Sequence, residues 1–492
     1  MTLLEHASFA FSGLLIYVLV TRAGKHRRQP SAALSWVLVI AMFPYVGLPL
    51  FLLFGTRKFV RPGVLVRLQS VSPAKRGTVI GQTLSGQTAT GQAEADFGRF
   101  VEGDASPSPP AWATQLLASF GLPPASRNHE IFFHADGEQS WQALLDLVRG
   151  AQRSLDLCTY LLRPDEIGDR IVAELAQAAG RGVQVRLLLD AIGCLRTPRD
   201  RIRSLRAAGV SVRWFMPLLH NPLRGRTNLR NHRKLTIADG WRLWSGGRNQ
   251  AVEYFHDRPG DAAWVDLSFS VVGDLAVQAQ ILFEHDWQVA SGRSRQSPVP
   301  IGLAGNGVPP AAASSAIAQL VPSGPDHVDD TVYSLLLAAA YHAQNRLLAV
   351  TPYFVPDDAL LSALCLACRR GVQLTLLIPA RSNHPLADLA RERSLRQLVQ
   401  AGGRVLLYPA MMHAKAIVID DRLALCGTVN LDARSLFLNF ELMVAFYGAT
   451  EIAWLADWIS GRTLAATPYE AHPPGWSRDL MEGVVRAVAY QL

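Results

Sequence analysis

A chain of 492 residues with 49 % hydrophobic side chains has room for two to four domains with sizeable cores, more than a single small domain. The formal net charge of +8 points to anionic partners and fits nucleic acid or an acidic membrane surface equally well. Five cysteines (Cys158, Cys194, Cys365, Cys368, Cys426) are odd and sparse, so nothing demands an oxidising compartment.

Residues 1–60 read as a membrane anchor of two hydrophobic segments, 7–21 and 31–55, which decides for the membrane over nucleic acid. Ser31 to Gly55 is 25 residues without a charge, long enough to cross a hydrocarbon core of about 30 Å. Pro44, Gly47 and Pro49 predict a kink inside it. Ala7 to Thr21 is uncharged over only 15 residues, so a full crossing competes with a half-inserted or interfacial helix. A cleaved signal peptide does not fit: Glu5 precedes the apolar run, and the basic cluster Arg22, Lys25, Arg27, Arg28 follows it. Arg57, Lys58, Arg61 and Arg67 flank the second segment, so the positive-inside rule leaves orientation open.

Residues 61–112 shift to Gly, Ser, Thr, Gln and Pro and read as a linker. A repeat follows. R-S-L-D-L-C-T-Y-L-L-R-P-D, a helical stretch and R-G-V-Q-V-R-L-L-L-D (153–190) are mirrored by N-R-L-L-A-V-T-P-Y-F-V-P-D, a helical stretch and R-G-V-Q-L-T-L-L-I-P (345–379). Alternating strands and helices argue an α/β fold whose halves, 113–293 and 326–460, each carry a mixed, largely parallel sheet. A Pro, Ala and Gly-rich link (294–325) joins them. Cys365-x-x-Cys368, with no second pair or His partners nearby, reads as core packing. In the tail (461–492), Leu480, Val484, Val488 and Leu492 fall at helical spacing, for a helix docked on the domain or on a membrane.

The chemistry concentrates where each half ends. In H-A-K-A-I-V-I-D-D-R-L-A-L-C-G-T-V-N, the run Ala416 to Ile419 predicts a buried strand, and His413 and Lys415, two apart, point the same way. That pairs a proton-transferring nucleophile with a fixed cation. Gly427 lets backbone approach a ligand, and Asn430 can donate to an anionic oxygen. His232, Lys234, Asp239, Gly246 and Asn249 repeat the arrangement, and His and Asn are 17 residues apart in both copies. Asp239 and Asp420 end their strands, where an Asp commonly ties a turn, although the motif counts them with the catalytic group.

Two H-x-K-x-x-x-x-D copies, each followed by G-x-x-N, resemble the phospholipase D superfamily. L-R-N-H-R-K (229–234), T-P-Y-F-V-P (351–356), G-T-V-N-L-D-x-R-S-L-x-L-N-F-E (427–441) and R-R-Q-P-S-A-A-L-S-W (27–36) narrow the resemblance to bacterial cardiolipin synthase. The resemblance implies two phospholipase D-like halves with pseudo-twofold symmetry, preceded by N-terminal transmembrane helices. It implies a catalytic set of His232, Lys234, Asp239, His413, Lys415 and Asp420, with Asn249, Asn430, Glu441 and Asp266 around the substrate. His232 would be the nucleophile and His413 the acid, with Glu441 and Asp266 holding the imidazoles. Arg248, beside the first amide, could add a phosphate contact, and Tyr160 and Tyr353 end the matched strands. The implied reaction joins two phosphatidylglycerols into cardiolipin and glycerol through a phosphatidyl-histidine, with no metal or cofactor. The implied partners are anionic phospholipids and a membrane, no nucleic acid, with a homo-oligomer left open. The implied place is a bacterial inner membrane, multi-pass, with the catalytic part cytoplasmic. A membrane-anchored phospholipase D that hydrolyses phospholipids would use the same residues. A nuclease lacks its aromatic and basic groove here, and a catalytically dead lipid-binding protein sits poorly with two complete motifs.

Overall fold

The computed structural model describes residues 3–23, 30–54, 109–217, 229–291, 316–327 and 329–488. Most of the predicted linkers, 61–108 and 294–315, lie outside the described residues.

The N-terminal part holds helices α1 (Leu3–Ala23), α2 (Pro30–Met42) and α3 (Pro44–Phe54). The segment expected to cross as one span is therefore two helices of 13 and 11 residues. Pro44 has no N–H to continue α2 but suits the first turn of α3, so the chain breaks at Phe43. Gly47 allows the two helices to touch, because a Cβ there would lie 2.8 Å from the Val39 carbonyl oxygen. Among the described residues no helix is long and apolar enough to cross a membrane. Phe9, Phe11, Leu15, Leu19, Leu38, Met42, Phe43 and Val46 are nonetheless exposed.

The first half comprises α4 (Ala111–Ser119), β1 (Ser126–His134), α5 (Gly137–Arg149), β2 (Ser154–Thr159), α6 (Glu166–Gly180), β3 (Gln184–Asp190), α7 (Arg199–Ala207), β4 (Ser211–Phe215), β5 (Leu235–Ala238), β6 (Arg242–Gly246), β7 (Ser268–Gly273) and α8 (Asp274–Ala290). The second comprises β8 (Ile317–Ser323), α9 (Thr331–His342), β9 (Arg346–Val350), β10 (Phe354–Val355), α10 (Asp358–Arg369), β11 (Gln373–Pro379), α11 (Pro385–Gln400) and β12 (Arg404–Tyr408). It continues through β13 (Ala416–Ile419), β14 (Leu423–Gly427), β15 (Leu431–Asp432), α12 (Ala433–Phe437), β16 (Glu441–Phe446) and α13 (Ala449–Thr463), before β17 (Thr467–Pro468) and α14 (Trp476–Val488). β8 corrects the predicted link over 294–325: Ile317–Ser323 is wholly buried sheet. Its run I-A-Q-L-V-P-S is short and interrupted by Gln and Pro, which hides it in a Pro- and Ala-rich context.

The strands run β17-β12-β11-β9-β13-β14-β16-β8-β1-β7-β6-β5-β2-β3-β4. Outward from the seam, β1-β7-β6-β5-β2-β3-β4 mirrors β8-β16-β14-β13-β9-β11-β12. The two expected sheets are thus one, joined edge to edge where Ser126 pairs with Ala318. β2, β3 and β4 are parallel, and β2 meets β5 antiparallel; β9, β11, β12 and β13 repeat this. The expected largely parallel sheet is corrected to a mixed one in which antiparallel pairings predominate, because the remaining strands towards the seam pair antiparallel. Asp165 and Asp357 cap α6 and α10 alike, each carboxylate accepting the N–H three residues on.

One core cluster, with Phe269, Phe283, Leu320, Val444 and Phe446, runs under both halves; the first half has a further cluster of its own, and that of the second half also takes in Ala113 and Leu117 of α4. Cys368 is buried on α10 and Cys365 half-buried, as core packing predicts. α14 lies against α11 and α2. Its docked face carries Glu482, paired with Arg396 at 2.5 Å, and Val485, while Leu480 of the predicted stripe is exposed.

Candidate active site

Each motif histidine sits in an extended lead-in of three residues, 232–234 or 413–415, just ahead of β5 or β13 rather than on the strand. Both lead-ins are fixed by the opposite half. The His232 N–H donates to the Phe440 carbonyl at 2.8 Å, and the His413 N–H to the Val265 carbonyl at 2.7 Å. Asn231 and Phe440, and Val265 and Met412, form parallel bridges. Each pair stands one residue before a His on one side and a carboxylate residue on the other: Asn231 and Phe440 lead to His232 and Glu441, and Met412 and Val265 to His413 and Asp266.

The carboxylates are therefore exchanged. His232 Nδ1 lies 3.0 Å from Glu441 Oε1 and 3.1 Å from Oε2. His413 Nδ1 lies 2.6 Å from Asp266 Oδ2. Neither carboxylate borders the cavity, so the expectation of substrate contacts at Glu441 and Asp266 is corrected to positioning of the imidazoles. The Thr428 hydroxyl donates to Glu441 at 2.6 Å and Asn439 Nδ2 at 3.1 Å.

A cavity of about 500 Å³ opens above these groups, lined by both His232 and His413. Asn249, Asn430, Tyr160 and Tyr353 of the predicted residues also line it. Asn249 Nδ2 donates to the Tyr254 hydroxyl at 2.8 Å, which leaves its second N–H for a ligand. Aromatic edges frame both imidazoles: Tyr160 stands 4.9 Å from His232, and Tyr254 5.1 Å from His413. Tyr254 and Trp264 escaped the sequence reading because they fall outside the repeated motifs; W-V-D, leading to Asp266, is the one signal near them.

Lys234 and Lys415 are buried behind the histidines. Each ammonium donates to its own histidine's carbonyl, Lys234 at 2.8 Å. Burial lowers Lys234 to about 7 and Lys415 to about 8. Burial, and then Lys415, bring His413 down to about 3 against the pull of Asp266. Burial lowers His232 too, with Glu441 opposing. Burial alone would raise Glu441 and Asp266, but the facing His and Lys groups hold both below the ordinary carboxylate range.

Several expected roles change. Asp239 and Asp420 are remote from the cavity: Asp239 accepts N–H groups of residues 152–154, and Asp420 those of residues 344–346. Both have positive φ, 55° and 50°, a conformation Asp tolerates. They pin β2 and β9, so the catalytic assignment gives way to the structural one. Gly246 and Gly427 approach backbone rather than a ligand, since a Cβ would lie 2.3 Å from the Leu267 oxygen and 2.2 Å from the Leu442 oxygen. Arg248 is buried off the cavity, donating to the Tyr254 carbonyl and Ser268 Oγ, which withdraws it as a phosphate contact.

His285, Asp286 and Asp326 lie close enough to hold a metal ion. Arg233 already donates to Asp286 at 2.6 Å and lies 3.4 Å from Asp326, so the carboxylates read as its ion-pair partners.

Residues 144–287 and 336–462 match the family described as cardiolipin synthase, phospholipase D-like domain, and residues 13–55 match the phospholipase D-nuclease N-terminal family. The chain belongs to the cardiolipin synthase, phospholipase D-like family. Cardiolipin synthase A of Escherichia coli, in strains O1:K1 and K12 DH10B alike, is 28 % identical over 475 residues, covering 94 % of each chain. In fold, the phosphatidylserine synthase of Haemophilus influenzae superposes with a TM-score of 0.60 at 14 % identity, covering 77 % of this chain and 98 % of that one. The matched segments of this family member end close to α8 and α13, so the duplication seen in the sheet is also a duplication of the family's domain.

Proposed function

We propose that the chain is a cardiolipin synthase, moving the phosphatidyl group of one phosphatidylglycerol onto the primary hydroxyl of another to release cardiolipin and glycerol. The observation that carries this reading is the pair of imidazoles, each clamped at Nδ1 by a carboxylate from the opposite half and both opening on one cavity. With Nδ1 engaged, Nε2 is the nitrogen left for chemistry.

His232 Nε2 attacks phosphorus, forming the P–N bond as the bond to the glycerol oxygen breaks, and His413 passes a proton to that oxygen. The second lipid's hydroxyl then loses its proton to His413, its oxygen bonds phosphorus, and the P–N bond breaks. His413 is neutral in the free site, and the negative charge of an entering phosphodiester favours its protonation. Lys234 and Lys415 hold positive field beneath the phosphoryl oxygens, and Asn249 and Asn430 offer their amides from the cavity wall.

The exposed apolar faces of α1–α3 support membrane association; the proposed location is the inner membrane, where acceptor lipid is concentrated, with the catalytic halves on the cytoplasmic side. The test is product analysis by mass spectrometry on purified full-length protein in phosphatidylglycerol micelles with chelator. Equal cardiolipin and glycerol, lost in His232→Ala and His413→Ala, is the expected result. Phosphatidic acid and glycerol without cardiolipin would make water the acceptor and the protein a phospholipase D.

A further inference from the structure

The two halves duplicate their chemistry at the cavity floor but not at its wall. Arg163 stands two residues before the Asp165 cap of α6; the matching residue, two before the Asp357 cap of α10, is Val355, and both line the cavity. The loop after β3 contributes Arg196 to the wall, where the loop after β11 contributes Asn383 and His384. At these positions the first half is cationic and the second neutral polar or apolar; the second half's own lining cation, Arg434, stands beside the carboxylate residue Asp432.

These two arginines differ from their neighbours. Arg170 pairs with Glu174 at 2.9 Å, and Arg201 pairs with Asp169. No hydrogen bond or ion pair engages the side chain of Arg163 or Arg196 among the described residues, although Glu253 lines the same cavity. Arg163 is half-buried and Arg196 exposed, so they stand above the floor, towards the mouth.

Resting on the synthase reading, we propose that Arg163 and Arg196 form a second anion subsite, which holds the phosphodiester of the acceptor lipid while the donor's phosphorus sits between the histidines. An acceptor that is itself a glycerophospholipid carries its phosphate three carbons from the reacting hydroxyl. A guanidinium pair beside the reacting centre binds that charge and aims the hydroxyl inward. Water and simple alcohols have no phosphate to be held. The subsite thereby favours lipid acceptors over water, and anionic diesters without a compensating ammonium over zwitterionic ones.

The test gives the full-length enzyme phosphatidylglycerol micelles with ethanol as a neutral competing acceptor. Ethanol's oxygen takes the phosphatidyl group from the histidine and its proton goes to His413, so phosphatidylethanol forms from the same intermediate as cardiolipin. In Arg163→Gln/Arg196→Gln the ratio of cardiolipin to phosphatidylethanol is expected to fall about tenfold or more. A ratio within about twofold of wild type overturns the subsite. The ratio is insensitive to partial misfolding, and exposed Arg196 supplies a series that spares the core. Arg196→Lys is expected to keep most of the ratio, Arg196→Gln to lower it and Arg196→Glu to lower it further; a series that ignores charge overturns the proposal. Wild-type protein that makes phosphatidylethanol but no cardiolipin would instead refute the synthase reading itself.

Discussion

The His232 and His413 sites perform one arrangement with different parts. His232 is held by the longer Glu441, whose two oxygens stand 3.0 and 3.1 Å from Nδ1 and are braced by Thr428 and Asn439 side chains. His413 is held by the shorter Asp266 through one contact of 2.6 Å, with the other oxygen accepting the Leu267 N–H at 2.7 Å. Position 247 is glycine where its counterpart is Thr428, and a Cβ there would lie 2.2 Å from Asp266 Oδ1. Glycine thus makes room for the short carboxylate, and threonine steadies the long one. The His232 side chain is also the more accessible, 13 % exposed against 6 % for His413. What the halves share is where a carboxylate oxygen meets Nδ1; how it is held there is free to differ.

The widest break in this symmetry is expected from the histidines. His232→Ala and His413→Ala should each cost about 10³-fold or more in cardiolipin turnover. A donor bearing a p-nitrophenol headgroup, which leaves without a proton, separates them: His413→Ala should still release one equivalent as a burst, and His232→Ala none. A burst in His232→Ala alone would exchange the two roles.

The carboxylates come next. Asp266→Asn and Glu441→Gln should lower kcat by about 10²-fold, with Asp266→Asn the more severe because Asp266 holds its imidazole through one oxygen and lacks the bracing that Thr428 and Asn439 give Glu441. Equal losses would mean that the bracing by Thr428 and Asn439 is immaterial.

The lysines then set a pH limb. A lysine whose pKa is lowered keeps its charge below that value and loses it above, so kcat/KM should fall as pH rises through about 7 for Lys234 and about 8 for Lys415. The fall should approach about tenfold per pH unit for each required charge. A profile flat from pH 6 to 9 would deny the ammonium groups any part.

Smallest in activity are the strand-end aspartates. Asp239→Asn and Asp420→Asn should each reduce stability by about 1–3 kcal/mol, seen as a lower Tm, with turnover per folded molecule within about twofold of wild type. Loss of turnover without loss of Tm would return them to the catalytic group.

Local signals in the chain were legible wherever one residue's neighbours in sequence decide its structure. The strands Ala416–Ile419 and Leu423–Gly427, the repeated strand–helix–strand units and the two motifs of His, Lys and Asn follow from period and spacing, and the structure returns them with both His and both Asn at one cavity. The kink predicted from Pro44, Gly47 and Pro49 falls at Pro44 alone, where it is sharp enough to end one helix and start another, while Pro49 stays inside α3. The strand Ile317–Ser323 escaped because Gln319 and Pro322 interrupt it and its neighbours are Ala and Pro.

Glu441 and Asp266 could be singled out from sequence as partners for the imidazoles, but which carboxylate serves which histidine could not. His232 and Glu441 are 209 residues apart, and His413 and Asp266 147. The choice depends on β1 meeting β8 at the seam and on two short bridges between halves, all contacts whose partners lie far along the chain. Sequence by itself determined the reacting groups and the elements that carry them, because periodicity, turns and caps are local physics. Only the tertiary structure decided the exchange of carboxylates, the burial that lowers the lysines and the cationic wall, because each is set by what the other half brings near.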